Sequence, residues 1–447
     1  MKYLNQFYFY ILLIIISGMF SDILYGINHN QTFTTVRLTS DVFSNHYLIH
    51  ELWNYLGTFI ISLCLSIYEN KKISARSNIK NKKGWIKLIY NDSKNNSYDI
   101  SGKFLILYLL KICIWVFVDQ IIEYSIFLMI FQDLDFWMLE LFILSLLNKL
   151  MSYRIKIYRH QRLAIYLSII PSLLKVVSII LSFYDNTYDK ENYNGNLPIY
   201  YLEKPVLKLI FGISLYICLI TLRSYANLNF KWYMDIKYIS HFKILTAFGL
   251  IGTCFYFFIC LISSSIACDD RVFCKYLAKV ENNNTTYLEN FGVYFRNFDK
   301  YTNTIREILI IFGGIFIFFV NKLGSLLVIK YLTPVHVIFS FPFRYLLQKV
   351  ISISFSFTKM DNVSTDRYKI FKLILDTFGD LSSCMGFLVY LEIIVLKCYN
   401  YDYDIKNNII KRGFEDSRED GDFNESFNCN EIIDDTFGIK EILDDEN

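Results

Sequence analysis

Apolar runs of about 20 residues recur along the whole chain, and each is long enough to cross roughly 30 Å of hydrocarbon as a helix. Hydrophobic residues make up 54% of the 447 residues and charged residues only 19%, which argues against a set of soluble domains. Proline occurs five times and glycine 18 times, which excludes collagen-like and Pro/Gly-rich disordered classes. The sequence therefore predicts an all-α, polytopic membrane protein.

The apolar runs divide into about ten spans, which leave a break near residues 185–203. Five spans precede the break and five follow it. Because five is odd, the second half starts from the opposite side of the membrane. That geometry is typical of the inverted repeats with which transporters build a central site reachable from either side. The predicted spans are 4–26, 48–68, 104–131, 135–151, 162–184, 204–223, 244–267, 304–329, 333–357 and 371–397.

We accordingly predict four parts of the chain. Residues 1–184 form the first five-helix half, residues 185–203 a non-cytosolic linker, residues 204–398 the second half, and residues 399–447 an acidic, disordered cytosolic tail. The first span is interpreted as an uncleaved helix, and a cleaved signal peptide is the alternative.

Charge is segregated along the chain. Residues 415–447 carry a net charge of −11 and residues 1–414 a net charge of +14. Nine Lys or Arg residues lie in the segment 69–103 and five in the segment 149–162. Basic loops stay in the cytosol, so both termini are predicted to be cytosolic. Because the basic residues lie between hydrophobic spans rather than on one surface, nucleic-acid binding is disfavoured.

Cysteine usage gives a hint about the compartment. Cys268 and Cys274 fall in a predicted non-cytosolic loop and could close a disulfide if the lumen is oxidising; free thiols are the open alternative. Two cysteines alone are a weak metal signal, and no cofactor is expected. The predicted location is an endomembrane: the Golgi, the endoplasmic reticulum, or a vacuole or lysosome.

Ionisable side chains inside the spans are costly in hydrocarbon and must face partners or a wet cavity. Glu140, Lys175 and Arg344 lie nearer to span centres than the other candidates. Pro171 precedes Lys175 by four residues, and it kinks the helix and frees a backbone carbonyl there. The alternative role is structural, as ion pairs between helices or as side chains that snorkel from span ends. The other candidates are Asp22, Glu51, Lys322, His336, Asp376 and Asp380.

Several segments, taken together, resemble helices of a known family. HYLIHELWNYLGTFIISLCLSIYENKK (46–72) combines a histidine, a mid-helix glycine and a basic loop, and VNKLGSLLVIKYLTPVHVIFSFPFRYLLQKVI (320–351) contains Asn321 and Arg344. These segments resemble the second, eighth and ninth helices of the drug/metabolite transporter superfamily, in its solute-carrier-35-like and chloroquine-resistance-transporter-like branch. The resemblance implies ten helices in two inverted halves with a solute path between them.

The leading hypothesis is a secondary transporter that moves a small polar or charged solute by alternating access. Its predicted substrate-binding residues are Glu140, Lys175, Asn321 and Arg344. Cationic lining favours an anionic solute such as a nucleotide-sugar or a phosphorylated metabolite, whereas the acids allow a cationic amine or peptide. The expected partners are this solute and the lipid bilayer, with a homodimer as an open alternative.

No soluble-enzyme motif is present, since the chain contains no HExxH, no GxSxG and no P-loop. An enzyme is therefore not predicted. Two alternatives to transport stay open. One is a non-transporting scaffold that recruits basic partners through the acidic tail. The other is a membrane-embedded transferase, for which Asp133, Asp135 and His160 are the loose candidates for an acid/base pair.

Overall fold

The structure is a computed structural model, and it describes part of the chain. The described residues are 9–18, 46–77, 102–121, 137–151, 155, 157–158, 160–168, 205–237, 239–267, 280–282, 285–287, 289–296, 301–340, 343, 367–395 and 408. Some predicted features lie outside them: Pro171, Lys175, Arg344, Cys268, Cys274, Asp133, Asp135, the linker 185–203 and the tail 399–447 apart from residue 408.

The described secondary structure is helical apart from one short antiparallel ribbon, in which Glu281 pairs with Thr286. The predicted helical class is therefore confirmed, with the ribbon as an addition. In chain order the elements are α1 (Phe9–Gly18), α2 (Tyr47–Ser77), α3 (Gly102–Ile121), α4 (Trp137–Leu150), α5 (160–168), α6 (Pro205–Asp235), α7 (His241–Ser265), β1 (Val280–Asn282), β2 (Thr285–Tyr287), α8 (Phe291–Arg296), α9 (Tyr301–Tyr331), α10 (334–340) and α11 (Arg367–Tyr390).

Three of the described helices are long and apolar enough to cross a membrane. They cover Leu48–Lys71, His241–Ser265 and Glu307–Tyr331. Large apolar side chains are exposed along α9, among them Leu309 and Phe312. A contiguous apolar surface of this kind is unusual on a soluble monomer and is normal against lipid. The predicted membrane class is thus supported, and the ten-span inverted repeat stays a prediction.

The chain forms two compact units, each continuous in space but not in sequence. The first unit contains Met1–Gln132 and Gly195–Tyr331, and the second contains Asp133–Asn194 and Leu332–Asn447. The first unit therefore draws helices from both predicted halves. The boundaries of the halves themselves stay a prediction.

Aromatic packing and a side-chain clamp organise the second unit. Phe339 of α10 stacks on Phe387 of α11, with ring centres 5.5 Å apart. Asn148 of α4 donates from its amide to the carbonyl of Ile155 and accepts from the Ile155 amide, both at 2.8 Å. These two hydrogen bonds fix the chain where it leaves α4, because one side chain satisfies both backbone groups of Ile155.

Contacts within the first unit fix the relative directions of its helices. Tyr55 stacks on Tyr256 and Ser66 bonds to Thr246, so α2 and α7 are antiparallel. His50 contacts Glu307 near the starts of α2 and α9, and further along these helices Tyr55 contacts Phe318, so α2 and α9 are parallel.

Contacts of α3 with α7 give the direction of α3. Trp115 and Phe117 of α3 contact Phe248 and Phe255 of α7, respectively, so these two helices are parallel. These directions agree with those expected for consecutive membrane spans. We refer to the two ends of this unit as the His46 end and the Asp235 end. The membrane side on which each end lies stays a prediction.

Glycines allow α2, α7 and α9 to approach closely. A Cβ on Gly249 would lie 2.6 Å from the backbone nitrogen of Phe59, and a Cβ on Gly252 would overlap the ring of Tyr55. A Cβ on Gly57 would overlap the side chain of Ile315. In a membrane, where apolar side chains gain little by leaving lipid, such close backbone packing is a main source of helix association.

We predict that Gly249→Ala lowers the stability of the protein. The added methyl group meets the backbone of α2, which cannot move aside as a flexible side chain can, and overpacking of this kind costs about 1–3 kcal/mol. The measurement is the free energy of unfolding in detergent.

Gly313→Ala is the matched control, because a Cβ there meets nothing within 4 Å. In this helix the control should be neutral or more stable by up to about 1 kcal/mol, since alanine has the higher helix propensity. Equal stability of the two variants would show that the α2–α7 contact is not as close as described.

Candidate functional site

The structure describes two of the four predicted substrate-binding residues. Glu140 belongs to the second unit and Asn321 to the first. Lys175 and Arg344 lie outside the described residues. A common cavity for the four residues therefore stays a prediction, and each described residue is considered in its own unit.

Glu140 is a buried carboxylate, with 3% of the residue exposed. It lies in the first turn of α4 as described, where the helix dipole favours a negative charge. The residue that follows it, Leu141, is fully buried. The helix start thus gives a structural reason for a carboxylate at this position, and its role in solute binding stays a prediction.

Asn321 lies in α9 beside a buried cation. Asn321 is half-buried, and its backbone carbonyl accepts a hydrogen bond from the Ser325 hydroxyl at 2.9 Å. The next residue, Lys322, is 9% exposed. Measured along the helix at 1.5 Å per residue, Lys322 lies about 22 Å from Glu307 and about 13 Å from Tyr331. These two residues end the apolar span, so Lys322 lies well inside it.

Aromatic rings surround the Lys322 ammonium. Its Nζ lies 5.2 Å from the ring centre of Phe318 and 5.8 Å from that of Phe248. Tyr55 and Trp115 pack against these rings, with Tyr55 5.1 Å from both and Trp115 4.3 Å from Phe248. The negative faces of aromatic rings attract a cation most strongly where water is scarce. Four helices, α2, α3, α7 and α9, therefore contribute rings to the aromatic cluster beside this ammonium.

A second ammonium lies within the apolar helix α3. The Nζ of Lys111 donates to the side-chain oxygen of Asn229, 2.5 Å away. It also lies 5.2–5.9 Å from the ring centres of Tyr225, Trp232 and Tyr233. Neutral groups thus surround this half-buried cation. Charged side chains in this setting are by default markers of a solute or ion path.

A buried ion pair occupies the Asp235 end of the first unit. The Nζ of Lys231 lies 3.1 Å from the Asp235 carboxylate and donates to the backbone carbonyl of Lys330 at 2.7 Å. Burial lowers the pKa of the Lys231 ammonium, and the Asp235 carboxylate acts in the opposite direction. This pair connects α6 to the end of α9, which is a structural role.

The His46 end contains a second set of buried polar groups. His46 and Glu289 are both fully buried, and Nδ1 of His46 lies 2.5 Å from Oε1 of Glu289. The Glu289 carboxylate also accepts from the backbone amides of Ile49 at 3.3 Å and Asn290 at 3.0 Å. Two backbone amides and an imidazole nitrogen therefore contact one buried carboxylate.

Glu307 is the acceptor of a neighbouring group. It accepts from the Tyr294 hydroxyl at 3.0 Å and lies 3.2 Å from Nε2 of His50. Burial raises the pKa of Tyr294, and the neighbouring Glu307 raises it further, so the hydroxyl stays protonated and can donate. The ring of Tyr294 also packs edge-on against His46, with ring centres 5.1 Å apart.

Several of these groups are not among the residues singled out from the sequence. Lys111 has a local signal, a single lysine within the apolar run Leu105–Val118. The His46–Glu289 pair has none, because 243 positions separate its members. Within the described part of the chain, no group of three or more His, Cys, Asp or Glu side chains is arranged to hold a metal ion.

Comparison with known proteins identifies no relative. No protein-family model matches the chain, and no curated protein matches it significantly. The resemblance to drug/metabolite transporters therefore stays a prediction from the motifs.

We predict that Lys231→Met destabilises the first unit by about 3–5 kcal/mol, because removal of one partner leaves a buried charge with less compensation. The double variant Lys231→Met/Asp235→Leu should recover most of this loss. Lys237→Met serves as the control, since this half-buried lysine lies 5.9 Å from the Trp232 ring centre and cation–π contacts of that kind contribute about 1 kcal/mol or less.

Unfolding in detergent, followed by loss of helical circular dichroism, measures all three variants. A Lys231→Met protein as stable as Lys237→Met would mean that the ion pair does not hold α6 to α9.

Proposed function

We propose that the protein is a secondary transporter that moves a small polar or charged solute across the membrane by alternating access. One observation carries the proposal: the ammonium groups of Lys111 and Lys322 lie inside apolar helices of the same unit. Cations at such depth are costly in hydrocarbon, and membrane proteins generally retain them for solute or ion paths.

The surroundings of the two lysines favour an anionic solute. Each ammonium lies over aromatic rings, whose faces attract a cation. A phosphate or carboxylate of the solute would form charge-assisted hydrogen bonds with these ammonium groups. Aromatic faces nearby would also suit a solute that carries a flat ring. A nucleotide-sugar or phosphorylated metabolite fits this chemistry, and Asn321 would add an amide beside Lys322.

Glu140, Lys175 and Arg344 stay substrate-binding residues that the sequence predicts. The proposal assigns no catalytic step to any residue.

We predict that Lys322→Met weakens solute binding by about ten- to a hundredfold, since charge-assisted hydrogen bonds contribute about 1.5–3 kcal/mol. The measurement is solute-dependent thermal stabilisation of the purified protein, with nucleotide-sugars and phosphorylated sugars as the first panel. Uptake into proteoliposomes then follows for any solute that stabilises the wild type.

Lys71→Met is the matched control, because Lys71 is exposed at the end of the span in α2. It should bind and transport like the wild type. Lys322→Met protein that transports the identified solute normally would contradict the assigned site. A wild-type protein that neither binds nor transports any anionic or cationic metabolite would contradict the function.

A further inference from the structure

A short segment covers the His46 end of the first unit. It runs from Glu289 through α8 to Arg296, and we call it the cover. Within the cover, Glu289, Val293 and Tyr294 are buried, whereas Phe295 and Arg296 are exposed. A helix of six residues is too short to be stable alone. Contacts with the membrane helices must therefore hold the cover in place.

Those contacts reach three membrane helices. Glu289 bonds to His46 and to the amide of Ile49 at the start of α2. Tyr294 donates to Glu307 of α9, and the amide of Phe291 donates to the Ser264 hydroxyl of α7 at 3.4 Å. The cover thus joins the ends of α2, α7 and α9 through hydrogen bonds.

The polar character of these contacts suits a reversible closure. An apolar segment makes no hydrogen bonds to water when it detaches. Carboxylates, imidazoles and hydroxyls, in contrast, exchange their protein partners for water. Beneath the cover lies Cys260, which is fully buried and packs with Ile49 and Tyr294. The cover therefore separates a buried layer from the surface at the end that the topology predicts to be non-cytosolic.

We infer that the cover is the outer gate of the transporter, and that the His46–Glu289 contact and the Tyr294–Glu307 bond hold it shut. This inference rests on the proposed function, since a gate at this end is needed only for alternating access. When the gate opens, these bonds break and water reaches Cys260.

Native Cys260 reports on the opening. The purified full-length protein is treated with a charged, water-soluble maleimide, and mass spectrometry of its peptides gives the labelling rate of each cysteine separately. Glu289→Gln places an amide donor against the backbone donors of Ile49 and Asn290, and Tyr294→Phe removes one hydroxyl donor but keeps the ring. Each should raise labelling of Cys260 by about fivefold, as loss of one typical hydrogen bond predicts.

Two internal controls make the experiment decisive. Arg296→Gln changes an exposed charge on the same short helix and should leave Cys260 labelling unchanged. Cys384, buried in the second unit, should label slowly in every variant, because it reports unfolding rather than gate opening. If Glu289→Gln also raises labelling of Cys384, that variant unfolds, and the milder Tyr294→Phe variant tests the gate.

Unchanged Cys260 labelling in Tyr294→Phe, relative to Arg296→Gln, would overturn the gate. The test needs no solute, so it can be told apart from a failure of the proposed function. If Cys260 labelling rises but the protein transports nothing, the cover opens and the transporter role is contradicted. Normal transport with unchanged labelling would place the gate elsewhere.

Discussion

The cost of a charge in hydrocarbon determines how the first unit is built. Lys111, Lys231 and Lys322 each lie within or beside apolar helices, and each is surrounded by groups that offset that cost. The Lys231 ammonium contacts a carboxylate and a backbone carbonyl. The Lys322 ammonium contacts aromatic rings, and the Lys111 ammonium contacts aromatic rings and a side-chain amide. The Lys231–Asp235 pair is structural, whereas Lys111 and Lys322 are the residues that we propose for binding an anionic solute.

Close helix packing brings the aromatic groups to Lys322. The rings of Tyr55, Phe248 and Phe318 come from three different helices. They meet because Gly249 and Gly252 leave room for α2 against α7. The same packing aligns the ends of α2, α7 and α9, where the cover binds. The close approach of the helix backbones, the rings beside Lys322 and the binding of the cover therefore all depend on one helix arrangement.

The sequence predicts the helical class and the three described apolar spans, because the length of an apolar run is a property of neighbouring residues. The ten-span topology and the membrane side of each loop stay predictions. The sequence also points to Asn321 and places Lys322 inside a span. It does not predict the rings around Lys322, since Phe248 lies on another helix, nor the His46–Glu289 pair, which depends on chain folding over 243 positions. Glu140 shows a different limit: the span prediction does not reveal that it falls in a helix's first turn.

Solvent access to the position beside Lys322 tests the transporter proposal most directly. In the variant Asn321→Cys, reconstituted in liposomes, reactivity toward a charged, membrane-impermeant thiol reagent is measured from each side in turn. Alternating access predicts reaction from both sides, slowed by a bound solute. Absence of reaction from either side, in a folded protein, would mean a dry helix interface and would contradict a solute path at this site.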